Sequence, residues 1–390
     1  MTPKSSSTFI KTALHRRRQT HQLRELQEVT PLDGGMAKVN GQTVINFSSN
    51  DYLGLARHPA LVEGSARFIH AHGTGSTASR LVCGTAPTVA GIETHLASLK
   101  EKEAALIMNS GFQANVSLIP ALANRKSLIL ADRLCHNSII QGVLLSRARL
   151  LRFRHNDLSH LEELLGRHAH TTDRILIITE SVYSMDGDRC DLDTLITISQ
   201  RYGALVMVDE AHATGVLGYQ GMGLACGKDI DIIMGTFGKG LGSYGAYVVC
   251  SAEIREYLIN YCTGFIYSTA LPPPVLGAID AALTLVPTMD SERDYLQNLA
   301  QYLRNGLHAL KLFTGDSTTQ IVPMIIGNDQ KAVSMSQWLL SQCAILATAI
   351  RPPTVEQGSA RIRLALSCHH TKDQIDTLLR AIKTYLTAHP

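Results

Sequence analysis

A chain of 390 residues, 45% of them hydrophobic, has enough apolar material to bury a sizeable core and to form two or three domains. Its 36 basic and 33 acidic side chains leave a formal charge of +3, too small a balance to make an electrostatic case for nucleic acid or a membrane surface as partner. Eight cysteines without a CxxC pair or even spacing exclude a disulfide scaffold; they read as reduced, mostly core residues of a cytoplasmic protein, with no metal site assigned.

No apolar run approaches the ~18 residues of a membrane helix, and no signal-peptide core follows the start, so the chain is expected to be soluble. The opening MTPKSSSTFIKTALHRRRQTHQLR has no acidic residue before Glu25. That composition fits either a mitochondrial transit peptide or an exposed basic helix over about Ser7 to Gln27. AKVNGQTVINFSS follows as a β-hairpin turning at Asn40-Gly41. Asn50 and Asp51 open a loop, residues 60 to 71 look helical, and HGTGSTASRLVCGT is a glycine- and hydroxyl-rich loop. No strand precedes that loop, which argues against a dinucleotide fingerprint.

From here apolar runs of strand length alternate with helical stretches, the pattern of a mainly parallel sheet covered on both faces. EAALIMNSGFQAN ends in Ser110, Gly111 and Phe112; SLILADRLCHNS in Asp132 and His136; RILIITESVYSMDGD in Glu180 and Ser184; ALVMVDEAHATG in Asp209 and His212; DIIMGTFGK in Thr236 and Lys239. Polar or ionisable groups thus stand just past the C-terminal ends of successive strands, where open α/β sheets bind ligands. Each alone has a bland explanation: Ser184 could cap a turn, Asp209 a helix, and His136 and His212 could be surface histidines.

Lys239 lies in DIDIIMGTFGKGLGSYG, a strand-length run followed by glycines on both sides of one lysine. A Walker loop fails here, since Ile233 stands where the first glycine belongs and Gly240 follows the lysine. Gly240, Gly242 and Gly245 match GxGxxG, but the short β-rich AYVVCS comes next where a dinucleotide fold needs a long helix. A solvated lysine in a turn stays open as a further reading. Apolar surroundings would lower the lysine's pKa, as a Schiff-base lysine requires. Together, a lysine, an aspartate for a pyridinium nitrogen, a flat His136 ring and a helix N-terminus for a phosphate describe a site for pyridoxal 5'-phosphate.

After about residue 275 the texture changes to helical runs, QIVPMIIG, ILATAIRPPTVEQGSARIRLALS and an amphipathic helix from Thr371. This reads as a small α+β domain. The division is residues 1–48 as an N-terminal helix and hairpin, 49–277 as the large α/β domain and 278–390 as the small one. Thr354, Arg361 and Arg363 fall in or beside strands, with surface arginines on an edge strand as the alternative.

NFSSNDYLGL, NSGFQAN, ADRLCHNS, ESVYSMDGD, VDEAHATGVLG, TFGKGLG, IYSTALPP and AIRPPTVEQGSARIRLALS resemble, in order and spacing, the α-oxoamine synthases. The resemblance runs from about Leu14 to the C-terminus and implies the fold-type I aminotransferase architecture with pyridoxal phosphate as cofactor. It implies that Lys239 carries the cofactor, Asp209 pairs with its ring nitrogen and His136 stacks on the ring, with His212 and Ser184 near the 3-hydroxyl. Gly111, Phe112 and Thr236 would serve the phosphate, and Ser268 and Thr269 would reach it from the partner chain of a homodimer. Asn50 and Arg363 would hold an amino-acid carboxylate, and Arg24 and Thr354 would face the acyl substrate. AIRPPTV, AHATGVLG and IYSTALPP are most similar to the branch that joins L-alanine to pimeloyl-CoA or pimeloyl acyl-carrier protein. Arg80 and Cys83 in SRLVCGT depart from that branch and bear on the acyl substrate. A ligase joining glycine to acetyl-CoA, and a non-catalytic scaffold of the same fold, are the alternatives; Lys239, Asp209 and His136 together count against the scaffold.

Overall fold

The computed structural model describes residues 7–20, 22–172 and 174–389. Two compact units result: residues 50–297 form one, and the segments up to Ser49 and from Asn298 form the other. The basic N-terminal segment is helical over Thr8–Gln19, with no buried residue. A meander of β1 (Val29–Pro31), β2 (Met36–Val39) and β3 (Gln42–Asn46) follows. The β2–β3 hairpin turns on Asn40 and Gly41, both at positive φ (48° and 87°), the conformation that the Asn-Gly pair adopts most readily.

The larger unit is built on β4 (Ala104–Met108), β5 (Ser127–Asp132), β6 (Arg149–Phe153), β7 (Arg174–Glu180), β8 (Leu205–Asp209), β9 (Ile232–Thr236) and β10 (Ala246–Cys250), in the order β4-β10-β9-β8-β7-β5-β6. Neighbours from β9 to β6 are parallel, and β10 alone runs against both of its neighbours. Alternate residues feed two apolar layers. Ile107, Leu128, Leu130, Ile177, Val208 and Ile233 point to one, and Leu106, Ile129, Ile178, Met207 and Met234 to the other, as the period of two demands.

Helices Pro59–His72 and Pro273–Leu285 cross in this unit with their backbones in contact. A Cβ on Gly64 would lie 2.6 Å from the Gly277 carbonyl oxygen. This corrects the domain limits read from the sequence: residue 277 lies inside a helix packed on the large unit, which continues to Gln297.

In the other unit, β11 (Ile321–Gly327), β12 (Ile345–Leu346), β13 (Thr348–Ile350) and β14 (Ala360–Ala365) complete the strands. β12 pairs in parallel with β3, so the segment 1–48 is not a domain by itself but shares a sheet with the C-terminal part. The remaining strands form an antiparallel sheet, β11-β14-β13. The closing helix, Lys372–Ala388, starts at a capping box of Thr371 and Gln374. Among the described residues no helix is long and apolar enough to cross a membrane.

Candidate active site

Lys239 follows β9 in a tight turn, half-buried, with Gly240 packed flush against neighbouring backbone: a Cβ there would lie 2.7 Å from the Thr214 carbonyl oxygen. The lysine Nζ is 2.7 Å from His212 Nε2. On the far side of the ring, His212 Nδ1 lies 2.6 Å from the Tyr52 hydroxyl, which donates to Asn50 Oδ1 at 3.1 Å. One proton order fits these distances. An ammonium at Lys239 donates to Nε2, Nδ1–H donates to the tyrosine oxygen, and the tyrosine proton goes to the asparagine. The imidazole is thereby placed to take a proton from the lysine or return it.

Asp209, at the end of β8, is buried, and each carboxylate oxygen has a donor. Oδ1 accepts from the Ala211 N–H (2.9 Å), and Oδ2 from Asn115 Nδ2 (2.9 Å). The same amide donates to Ser138 Oγ at 3.0 Å, and Ser138 Oγ is 2.7 Å from His136 Nδ1. His136 therefore sits at the start of helix Asn137–Ser146 with its ring fixed by Ser138. Burial holds the His136 pKa below its ordinary value, with the Lys239 charge acting the same way and Asp209 opposing, so a neutral ring is favoured. Glu180, ending β7 beside Asp209, accepts from the His136 N–H; burial and the Asp209 charge push its pKa well up.

Helix Gly111–Leu122 begins directly after β4, with Ser110 as N-cap accepting from the Gln113 N–H at 3.3 Å. A Cβ on Gly111 would stand 3.9 Å from that of Thr236, so a helix N-terminus and a threonine at the end of β9 share one corner. Such a corner offers free N–H groups and a positive dipole end to an anion. The Thr236 hydroxyl donates to the Gly245 carbonyl (2.8 Å) and accepts from the Gly238 N–H (3.1 Å). Phe112 projects outward. Ser268 Oγ accepts from Gln113 Nε2, and the Thr269 carbonyl accepts from Asn109 Nδ2 at 2.8 Å, which places both residues beside the same helix start within one chain. Ser184 lies half-buried in the loop after β7, closed by a hydrogen bond from the Gly187 N–H to the Tyr183 carbonyl at 2.8 Å.

Within the other unit, Arg24 Nη2 donates to Thr354 Oγ1 at 2.9 Å, joining two residues far apart in the chain. Arg361 and Arg363 are both buried on β14, the central strand of its sheet, so the edge-strand alternative fails. Arg80 is committed to Glu93 (2.8 Å), its side chain only 8% exposed.

Sequence reasoning missed Asn115 and Tyr52. Asn115 is a polar residue inside the apolar helical run QANVSLIPAL, and a buried amide in such a run needs a buried partner; that was the available signal. Tyr52 gave no signal separable from an ordinary core tyrosine. Glu210, next to Asp209 in the chain, is fully buried and paired with Lys100 at 3.3 Å.

Residues 42–382 match the family model for class I and II aminotransferases, and the chain belongs to that family. A relative from Desulfosudis oleivorans is 52% identical over 97% of this chain and 98% of its own length. The 8-amino-7-oxononanoate synthase of Gluconacetobacter diazotrophicus is 46% identical over 98% of each chain. Among solved structures, an SPT with PLP, covering 98% of each chain at 27% identity, superposes with a TM-score of 0.91. The chain is thus a member of the 8-amino-7-oxononanoate synthase branch, with the fold-type I aminotransferase architecture.

Proposed function

We propose that this chain condenses L-alanine with a pimeloyl thioester, on CoA or acyl-carrier protein, to 8-amino-7-oxononanoate, CO2 and free thiol in biotin biosynthesis. The observation that carries the reading is the hydrogen-bonded set Lys239–His212–Tyr52–Asn50 beside the buried Asp209–Asn115 pair, in a chain of this family.

The residues fit pyridoxal 5'-phosphate. A helix N-terminus with Thr236 matches the phosphate, a buried acid matches a pyridinium nitrogen, and an amine lies beside a histidine that can accept its proton. When bound, the ring supplies an electron sink for the pair left at the alanine Cα. Lys239 would anchor the cofactor, and its free amine would take the Cα proton, with His212 Nε2 placed to receive or return it. Asp209, oriented by Asn115, keeps the ring nitrogen protonated. His136, its ring fixed by Ser138, would cover one face of the cofactor ring. Gly111, Phe112 and Thr236 take the phosphate, and Ser184 with His212 serves the 3-hydroxyl. Asn50 and Arg363 are assigned to the alanine carboxylate, and Arg24 with Thr354 to the acyl chain. The Arg24–Thr354 hydrogen bond supports the pairing of those two. The Arg80–Glu93 ion pair makes that departure a structural feature, which weakens the glycine-plus-acetyl-CoA reading. None of the eight cysteines forms a disulfide, and we read the chain as cytoplasmic.

The test is product mass: alanine with pimeloyl thioester should give 8-amino-7-oxononanoate, and comparable turnover of glycine with acetyl-CoA would overturn the substrate assignment. Arg24→Ala should lower the specificity constant for pimeloyl thioester about ten- to a hundredfold, the size of one charge-assisted hydrogen bond, while alanine binding, read by cofactor absorbance, changes little. An unchanged specificity constant would remove Arg24 from the acyl path.

A homodimer completes the site in this reading: the family resemblance assigns Ser268 and Thr269 to the partner's phosphate, while within their own chain they also lie beside the Gly111 helix start. Phe112 and Tyr267, adjacent in sequence to the Gln113–Ser268 pair, are 52% and 82% exposed, which suits a face covered by a second copy. Mixing Lys239→Ala chains with Ser268→Ala/Thr269→Ala chains should form heterodimers with one intact site, and activity above that of either variant alone. A sedimenting monomer with full activity would exclude it.

A further inference from the structure

We propose that His155 is a positioning residue: a charged latch that ties together the ends of three adjacent strands and so fixes the loop carrying His136 and the loop carrying Ser184. His155 follows β6, an edge strand, and its imidazole reaches inward across the sheet end. Nδ1 is 3.0 Å from Asp132 Oδ1, at the end of β5, and Nε2 is 2.7 Å from Asp188 Oδ2, in the loop after β7. Both acids are buried. A neutral imidazole has one N–H and can donate to only one of them, so occupation of both nitrogens by carboxylates requires the imidazolium.

The surrounding contacts show what the latch holds. Asp132 also accepts from the Leu134 N–H (2.7 Å) and the Asn156 N–H (2.9 Å), shaping the turn that leads to His136. Asn156 Nδ2 donates to Asp188 Oδ2 (2.6 Å) and to the Arg189 carbonyl (3.2 Å). The Asp188 carbonyl accepts from the Tyr183 N–H at 3.2 Å, which closes the loop containing Ser184. The Tyr183 ring stands edge-on to His155, 4.4 Å between centroids. With His155 removed, two buried carboxylates would face each other across the strand ends, and the two loops would lose their common cation.

The charge state agrees. Burial pulls the His155 pKa down, but its hydrogen bonds to Asp132 and Asp188 outweigh this and raise it to about 10. The folded value exceeds the unfolded one, so the stability contributed by His155 is complete below the usual histidine range and is lost as pH rises through about 10. The other titratable groups near it are Tyr183 and Cys190, both pushed up by burial, Asp157 with Arg154 (2.8 Å apart), His160 and Arg189.

The proposal rests on the cofactor reading above, and its test separates the two. In the apoprotein, nitrogen NMR of the His155 ring should show both nitrogens protonated at pH 8.5; a neutral ring would overturn the latch. In His155→Gln, pyridoxal phosphate affinity, measured by absorbance titration, should fall about tenfold, and the visible circular dichroism of bound cofactor should shrink, with far-ultraviolet dichroism unchanged. Imidazole added to His155→Ala should restore both. Should either variant fail to fold, Asp188→Asn, which leaves Asp132 its partner, should give the same spectral change in smaller measure. Cofactor affinity and dichroism within twofold of the parent in these variants would defeat the proposal. A parent chain that binds no pyridoxal phosphate would instead defeat the cofactor reading.

Discussion

Lys239→Ala is expected to yield a folded protein that holds no borohydride-reducible cofactor and whose turnover falls on the order of 10⁴-fold or more. The size follows from two roles in one side chain. In the proposed reaction the amine anchors the cofactor and removes the Cα proton, and His212, whose Nε2 faces Nζ at 2.7 Å, has its other nitrogen held by Tyr52. Lys239 is half-buried at a turn, so its loss leaves no large cavity and stability should change little. Peptide mapping after borohydride reduction is the check. Cofactor still attached to the Lys239→Ala chain through another residue would remove the lysine from its assigned role, whatever the activity.

The strand ends carried most of what the sequence could say about this site. A buried parallel strand reads as a mainly apolar run, so a polar residue at its C-terminal end announces itself: Asp132, Glu180, Asp209 and Thr236 close β5, β7, β8 and β9, and Lys239 follows β9. The edge strand β6 did not, because RLLRF is half-exposed and mixes charge with apolar residues. The partners of Asn115 and Tyr52 were illegible for a different reason. Each acts on a residue of another element, Asp209 or His212, and such partnerships exist only after the chain has folded. The boundary at residue 277 failed because texture was read as architecture. The helix spanning it resembles its successors in composition, yet the Gly64–Gly277 contact binds it to the large unit. Arg363 shows the same limit from the other side: an alternating ARIRLA suits an edge strand, and only the pairing of β14 with both β11 and β13 makes it central.

Lys100→Met should destabilise the protein by about 3–5 kcal/mol, the largest expected effect of any single substitution away from the cofactor site. Lys100 ends helix Pro87–Leu99 with its side chain entirely buried. Its ammonium donates to the Met222 carbonyl (2.6 Å), Thr214 Oγ1 (3.1 Å) and Glu210 Oε2 (3.3 Å), and lies 5.0 Å from the centre of the Tyr247 ring. Burial pulls the lysine pKa down, but Tyr247 and Glu210 more than offset it and leave it raised, so the cation persists at neutral pH. Methionine fills the same volume without the charge and strands the Glu210 carboxylate in the core, one residue from Asp209. Glu210→Gln in the same chain keeps an acceptor for the Ala225 N–H, now 2.8 Å from Glu210 Oε1, and removes the uncompensated charge. The double variant should therefore unfold in urea at a midpoint well above that of Lys100→Met alone. If the cost came from lost packing around the lysine stem, the second substitution would recover nothing, and equal midpoints would assign the effect to shape and not to charge.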